Sequence, residues 1–82
     1  MTEATHFIDE ESRAVIENVG QLIPNLCDGQ FVYIKKSIGK GGFQERQYKI
    51  QEIETVIDQH NDAIVQNVVV IDLGIVAELI NG

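Results

Sequence analysis

This chain of 82 residues has only one cysteine, few basic residues and no long apolar run. Cys27 is its only cysteine, so no intrachain disulfide can form, and a lone thiol is typical of a reducing compartment. The longest unbroken apolar run covers only residues 68–71, far too short to cross a membrane. The first residues also lack the basic and apolar regions of a secretory signal. We therefore expect a cytoplasmic protein that does not bind membranes.

Positive charge is scarce and is confined almost entirely to one segment. Residues 31–49 hold five bases and one acid, a net charge of +4, whereas the whole chain carries −7. This acidic balance argues against general attraction to nucleic acid, so any such contact would be restricted to the basic segment. The five bases of that segment are Lys35, Lys36, Lys40, Arg46 and Lys49.

The same segment has the pattern of a β-hairpin. Aromatic and β-branched residues dominate residues 31–34, which favours an extended backbone. Three glycines among residues 39–42 supply a flexible tip, and Tyr48 and Ile50 then fall on one face of the returning strand. We predict a basic β-hairpin over residues 30–51.

The region before the hairpin has the pattern of an amphipathic helix. Asp9 is a suitable N-cap, and two glutamates follow it at the positive end of the helix dipole. Apolar residues recur from Val15 to Ile23 with helical spacing, and Pro24 cannot continue a helix. We predict a helix over residues 9–23 after a short lead-in of residues 1–8.

The region after the hairpin is read as strands, with less regular patterns. Residues 51–57 favour a strand with a bulge near Gln51, although a second helix over residues 51–66 is the alternative. Residues 68–71 are typical of a buried strand. Residues 75–80 fit either an edge strand or a short C-terminal helix, for which Asn81 and Gly82 would suit the end.

Together these patterns predict a single α+β domain over residues 1–82. An N-terminal amphipathic helix would pack on a small antiparallel β-meander of three to five strands, which could curl into an SH3-like barrel. The alternative architecture is a helix, the β-hairpin and a second helix.

No residue pattern indicates catalysis, a cofactor or a metal site. The glycine-rich tip lacks the spacing of a phosphate-binding loop and is followed by a strand. Asp58, His60 and Asp62 could share one side of an extended segment, but three polar residues at a turn fit a solvated loop better. The serines, the histidines and Cys27 lie too far apart in sequence to suggest a nucleophile with its base. We expect neither enzyme activity nor a cofactor.

We therefore expect a small acidic protein-interaction module that forms a homo-oligomer. It would contact a protein partner through the basic hairpin or an apolar edge, with binding residues Tyr33, Lys35, Lys36, Lys40, Arg46, Tyr48 and Lys49. One alternative is binding of a small anionic ligand or nucleotide by the same residues. Another is an inhibitor that mimics nucleic acid, which requires one continuous acidic face formed by Glu10, Glu11, Glu17, Glu52, Glu54, Asp58 and Asp62.

Overall fold

The computed structural model describes residues 1–80, and this part of the chain is all-β. Five strands form one mixed sheet in the order β2-β1-β5-β4-β3. β1 is parallel to β5, and every other pair of neighbours is antiparallel. The strands are β1 (Thr2–Asp9), β2 (Val15–Val19), β3 (Phe31–Gly39), β4 (Gly42–Asp58) and β5 (Ala63–Leu79). The predicted α+β class is therefore wrong, and an antiparallel meander describes only β3, β4 and β5.

The predicted helix over residues 9–23 is replaced by a tight turn and a strand. The Asp9 carboxylate accepts hydrogen bonds from the Ser12 amide at 3.1 Å and the Ser12 hydroxyl at 2.8 Å, as an N-cap would, but these bonds close a turn that does not continue into a helix. Arg13 adopts a positive φ of 62°, which ends any helical path. The stiff residues of β2 then pair with β1. The predicted lead-in is also wrong, because β1 lies inside the sheet between β2 and β5.

Strands also occupy the two later regions for which a helix was the alternative. Residues 51–57 continue β4, and the register shift between Ile50 and Glu52 lies at Gln51, where a bulge was predicted. The alternative helix over residues 51–66 is wrong. The short C-terminal helix is wrong as well, because β5 continues to Leu79, and its proposed end at Asn81 and Gly82 lies outside the described residues.

The basic hairpin lies in β3 and the first half of β4. Phe31 pairs with Lys49, and the register continues to Gly39 opposite Gly42. Lys40 and Gly41 form the two-residue turn with φ values of 50° and 76°, since turns of this length favour positive φ at both positions. Gly42 has no room for a side chain, because an added Cβ would lie 2.6 Å from the Leu79 carbonyl oxygen.

Two long strands give the molecule its elongated shape of 47 × 26 × 24 Å. β4 and β5 each contain 17 residues and pair over nearly their whole length. Along β5, only residues 63–70 pair with β1. Along β4, only residues 42–49 pair with β3. The two ends of the β4–β5 hairpin therefore have different neighbours.

The core lies on one face of the sheet, which we call the core face. Phe7, Tyr48, Ile50, Val68 and Val70 are its buried apolar residues. Side chains from β2, β3 and the segment between them pack against this cluster. None of the described residues belongs to a helix long and apolar enough to span a membrane.

Candidate functional site: a groove between two strand edges

The predicted binding residues lie on both faces of the β3–β4 hairpin. Side chains alternate along a strand, and residues paired across an antiparallel ladder share a face. Lys36, Arg46 and Tyr48 therefore lie on the core face with Val32 and Ile34. The opposite face carries Tyr33, Lys35 and Lys49, and Lys40 lies at the turn. The structure does not bring the seven residues together.

The two cations on the core face already have partners. Arg46 forms a two-point ion pair with Asp72, with distances of 3.0 Å from Nη2 and 3.1 Å from Nε to Oδ2. The hydrogen bond with Asp72 raises the pKa of Arg46, so the guanidinium group stays protonated. Lys36 Nζ donates to the Ile16 carbonyl oxygen at 2.7 Å. Arg46 is therefore neutralised by Asp72, and Lys36 is directed towards β2, so the two cations do not act together as one anion site.

Residues on the opposite face have local contacts as well. Lys35 Nζ lies 4.0 Å from the centre of the Phe43 ring, and Glu45 is its cross-strand neighbour. The Tyr33 hydroxyl accepts a hydrogen bond from Gln47 Nε2 at 3.2 Å. Lys40 and Lys49 are exposed, but they occupy different places on the hairpin. These positions do not form an anion site.

Tyr48 belongs to the core rather than to a binding surface. Its side chain is 5 % exposed, whereas that of Tyr33 is 55 % exposed. Burial raises the pKa of the Tyr48 phenol, and the negative charge of Asp72 raises it further. Tyr48 therefore stays neutral at physiological pH.

The acidic residues do not share one face either. Glu17 is paired with Phe7 of the core face, whereas Glu52 and Glu54 line a cleft with Arg13 and Ile8. The Asp58 carboxylate accepts hydrogen bonds from both the backbone and the side chain of Asn61 at the β4–β5 turn. This distribution does not provide the continuous acidic face that a nucleic-acid mimic requires.

A large, open apolar recess lies between β2 and β3, the two outer strands of the sheet. We call this recess of about 550 Å³ the edge groove. Glu17 from β2 and Lys35 from β3 line it on its two sides, and the buried Phe7 of the core also contributes to the lining. Its other lining residues are Val19, Ile23, Leu26, Phe31, Val32, Tyr33 and Ile34.

The curl of the sheet brings the two outer strands towards each other without pairing them. The side chain of Lys36 crosses from β3 to the carbonyl oxygen of Ile16 in β2. Because a whole lysine side chain fills this distance, the two backbones are too far apart there for a direct hydrogen bond. The edge groove is therefore the open seam of an incompletely closed sheet.

The backbone of β3 presents polar groups to this seam. The Ile50 amide donates to Gln30, and the Gly29 amide donates to Ile50, as in a glycine bulge where Gly29 has a φ of 83°. Hydrogen-bonded pairs alternate along an antiparallel ladder, so Val32 and Ile34 point their amides towards β4. Phe31, Tyr33 and Lys35 consequently turn their N–H and C=O groups towards the groove.

The segment between β2 and β3 forms one end of the groove, and hydrogen bonds to Thr5 and Gln66 hold it against the sheet. The hydroxyl of Thr5, which is fully buried, donates to the Gln21 carbonyl oxygen at 2.7 Å. Gln66 Oε1 accepts from the Ile23 amide at 3.3 Å. These bonds hold Ile23 and Leu26 over the core, where they complete the apolar lining.

Sequence reasoning missed most of this groove. Val19 and Ile23 were assigned to a helical stripe, and Phe7 was placed in a lead-in. The structure buries Thr5 and Phe7 alternately with less buried neighbours, but residues 2–9 show no matching alternation of apolar and polar types that the sequence could have revealed. Only the β3 side, from Phe31 to Lys35, lay within the predicted hairpin.

Comparison with protein-family models, with curated protein sequences and with solved structures finds no match. Within residues 1–80, no three histidine, cysteine, aspartate or glutamate side chains form a group that could hold a metal ion.

Proposed function

We propose that this chain is a non-enzymatic protein-interaction module that binds an extended segment of a protein partner in the edge groove. The observation that carries the proposal is an apolar recess between two outer strands, one of which turns unpaired backbone groups towards it. An added strand is a common mode of peptide recognition, in which main-chain hydrogen bonds give affinity and alternate side chains give specificity.

The lining of the groove indicates the kind of segment that fits. Successive side chains of a strand point to opposite sides. A segment with apolar residues at alternate positions would place them against Val32 and Ile34 and leave its polar residues in solvent. Glu17 and Lys35 on opposite rims provide one charge of each sign, so neither a strongly basic nor a strongly acidic segment is favoured.

A selection experiment tests this proposal. A library of random peptides displayed on phage is selected against the whole chain, and the affinities of the selected peptides are measured by calorimetry. We expect peptides with alternating apolar residues. Ile34→Glu should abolish their binding, because it places a charge on the apolar lining.

A matched pair of controls separates the groove from the basic hairpin. Lys40→Ala and Lys49→Ala change exposed cations outside the groove lining and should leave peptide affinity within about twofold, as expected of surface charges. Loss of binding in these variants, together with full binding by Ile34→Glu, would reject the groove and favour the hairpin.

A second test addresses the backbone directly. Tyr33→Pro removes an amide that faces the groove but leaves the β3–β4 ladder intact, so the chain should fold and bind peptide at least tenfold more weakly. Tyr33→Ala is the matched control, because it keeps the amide. Equal affinities of the two variants would show that the peptide does not add to β3 as a strand.

A further inference from the structure

A lysine side chain crosses one end of the edge groove. The last lining residues at this end are Glu17 on β2 and Lys35 on β3, and the next residues outward are Ile16 and Lys36. Lys36 Nζ donates to the Ile16 carbonyl oxygen at 2.7 Å, so its side chain spans the seam just beyond the lining. A segment that lies along β3 therefore meets this side chain if it continues past Lys35.

The other end of the groove carries no charge. It is lined by Ile23 and Leu26, next to Phe31 at the start of β3. The lined part of β3, from Phe31 to Lys35, spans about 13 Å at the usual rise of a strand. The groove therefore fits a short added strand that has apolar surroundings at one end and an ammonium group at the other.

The charge of Lys36 is not neutralised by another side chain of the described residues. Its partner is a neutral backbone carbonyl, and within residues 1–80 the ion pairs involve only Arg46 and the N-terminal amine. Glu17, the acid of the lining, accepts a hydrogen bond from the Asn18 amide at 3.0 Å. A lysine ammonium has three donor hydrogens, and a carboxylate adds charge attraction to the hydrogen bond that it accepts. Lys36 is thus suited to hold a carboxylate at the end of the groove.

We propose, on the premise that the edge groove is the binding site, that it takes the C-terminal segment of a partner, with the terminal carboxylate bound to Lys36 Nζ. This contact fixes the direction of the added strand. β3 runs from Phe31 towards Lys36, whereas β2 runs antiparallel to it. A segment that ends at Lys36 is therefore parallel to β3 and antiparallel to β2.

The same geometry disfavours other parts of a partner chain. An N-terminal segment in the reverse direction would place its ammonium group beside that of Lys36, and like charges repel. An internal segment would have to continue across the Lys36 side chain and displace it from the Ile16 carbonyl oxygen. A C-terminal segment avoids both costs because the chain stops where Lys36 crosses.

Synthetic peptides that differ only at the C-terminus test the proposal. A peptide that binds the chain is shortened from its C-terminus one residue at a time, and each length is made with a free carboxylate and with a neutral amide. At the length that binds best, calorimetry should show the carboxylate form binding about fivefold more tightly, the upper end for an exposed ion pair. The chain's net charge of −7 would by itself favour the amide form. Extension of the carboxylate form by three residues should remove its advantage.

Variants of Lys36 show whether this side chain is responsible. Lys36→Met keeps an unbranched side chain of similar length without the charge, so it should bind the two forms equally. Lys36→Arg should keep the preference for the carboxylate. Lys40→Met is the matched control, because Lys40 is exposed at the turn and outside the groove lining, and it should also keep the preference. Circular dichroism checks that each variant keeps its sheet.

The possible failures are distinguishable. Equal affinity of wild type for both forms at every length, or a preference that survives Lys36→Met, would overturn the role of the C-terminus and leave the groove as a peptide site. Binding of the extended peptide as tightly as the best carboxylate form would do the same. Absence of binding by every peptide would reject the groove itself and the C-terminal preference with it.

Discussion

Removal of the Thr5 hydroxyl tests how the segment between β2 and β3 is held over the core. Thr5 is fully buried, and its hydroxyl donates to the Gln21 carbonyl oxygen at 2.7 Å. Thr5→Val nearly keeps the volume of the side chain, so it leaves no cavity and removes only the hydroxyl, which also lies 3.2 Å from Gln66 Oε1. Because Gln21 itself is exposed, its carbonyl can partly recover a bond to water, and we expect a loss of about 1–2 kcal/mol in the free energy of unfolding.

The measurement is urea unfolding followed by circular dichroism, with thermal unfolding as a second readout. For a domain of this size each kcal/mol corresponds to roughly 4–8 °C in Tm, so the expected change is readily measured. Thr2→Val is the matched control, because Thr2 lies on the same strand but is exposed, and its stability should change by no more than about 0.5 kcal/mol. The Ile23 amide, which donates to Gln66, should also exchange its hydrogen faster in Thr5→Val than in wild type. Equal stabilities of the two variants, with unchanged exchange at Ile23, would refute the account of how the segment is held.

Three further predictions concern the core and the titratable groups. Ile50→Ala should reduce the free energy of unfolding by about 2–4 kcal/mol, because Ile50 is 1 % exposed, and Ile57→Ala should reduce it far less, since Ile57 is 66 % exposed; comparable losses in urea unfolding would contradict the position of the core. The raised pKa of Tyr48 means that the folded state holds the phenolic proton more tightly, so its contribution to stability is full below about pH 10 and is lost as the pH rises further. The fall in stability above that pH should be smaller in Tyr48→Phe than in wild type, and identical alkaline unfolding profiles would be the opposing result. Hydrogen bonds from Asn61 lower the pKa of Asp58, so Asp58 stabilises the fold above about pH 4 and loses that effect as the carboxylate is protonated. Asp58→Ala should therefore be less stable than wild type at pH 7, and the difference should shrink in acid; a difference that does not depend on pH would be inconsistent with this role.

The strands whose partners are close in sequence were largely predictable. The aromatic and β-branched residues at 31–34, the glycines of the tip and the return to Ile50 describe a pair of strands that closes through two residues. The stiff residues after Gln51 favoured continuation of β4, and the bulge lies where the pattern is interrupted. In both cases local residue preference and tertiary pairing agree.

The first third of the chain was mispredicted for a physical reason. The apolar residues from Val15 to Ile23 satisfy a helical period, but Arg13 adopts a positive φ and the Asp9 carboxylate closes a turn. The strand state of β1 depends on its parallel pairing with β5, which begins some sixty residues later in the chain. No short sequence window contains that information.

The predicted binding residues show how a cluster in sequence differs from a cluster in space. Lys35 and Lys36 are adjacent in the chain, yet strand alternation places them on opposite faces. Arg46 is paired with an acid 26 positions away, which the charge pattern did not indicate. The edge groove is built mainly from residues that pack beside the hairpin.

Amide hydrogen exchange of β3, measured by NMR with and without a selected peptide, tests the central claim most directly. The amides of Phe31 and Tyr33 face the groove, so they should exchange quickly in the free chain and be strongly protected when the peptide is bound. The amides of Val32 and Ile34 bond to β4 and should be protected in both states. Protection of all four amides in the free chain, or unchanged exchange at Phe31 and Tyr33 with saturating peptide, would contradict the proposal that a partner adds a strand at this edge.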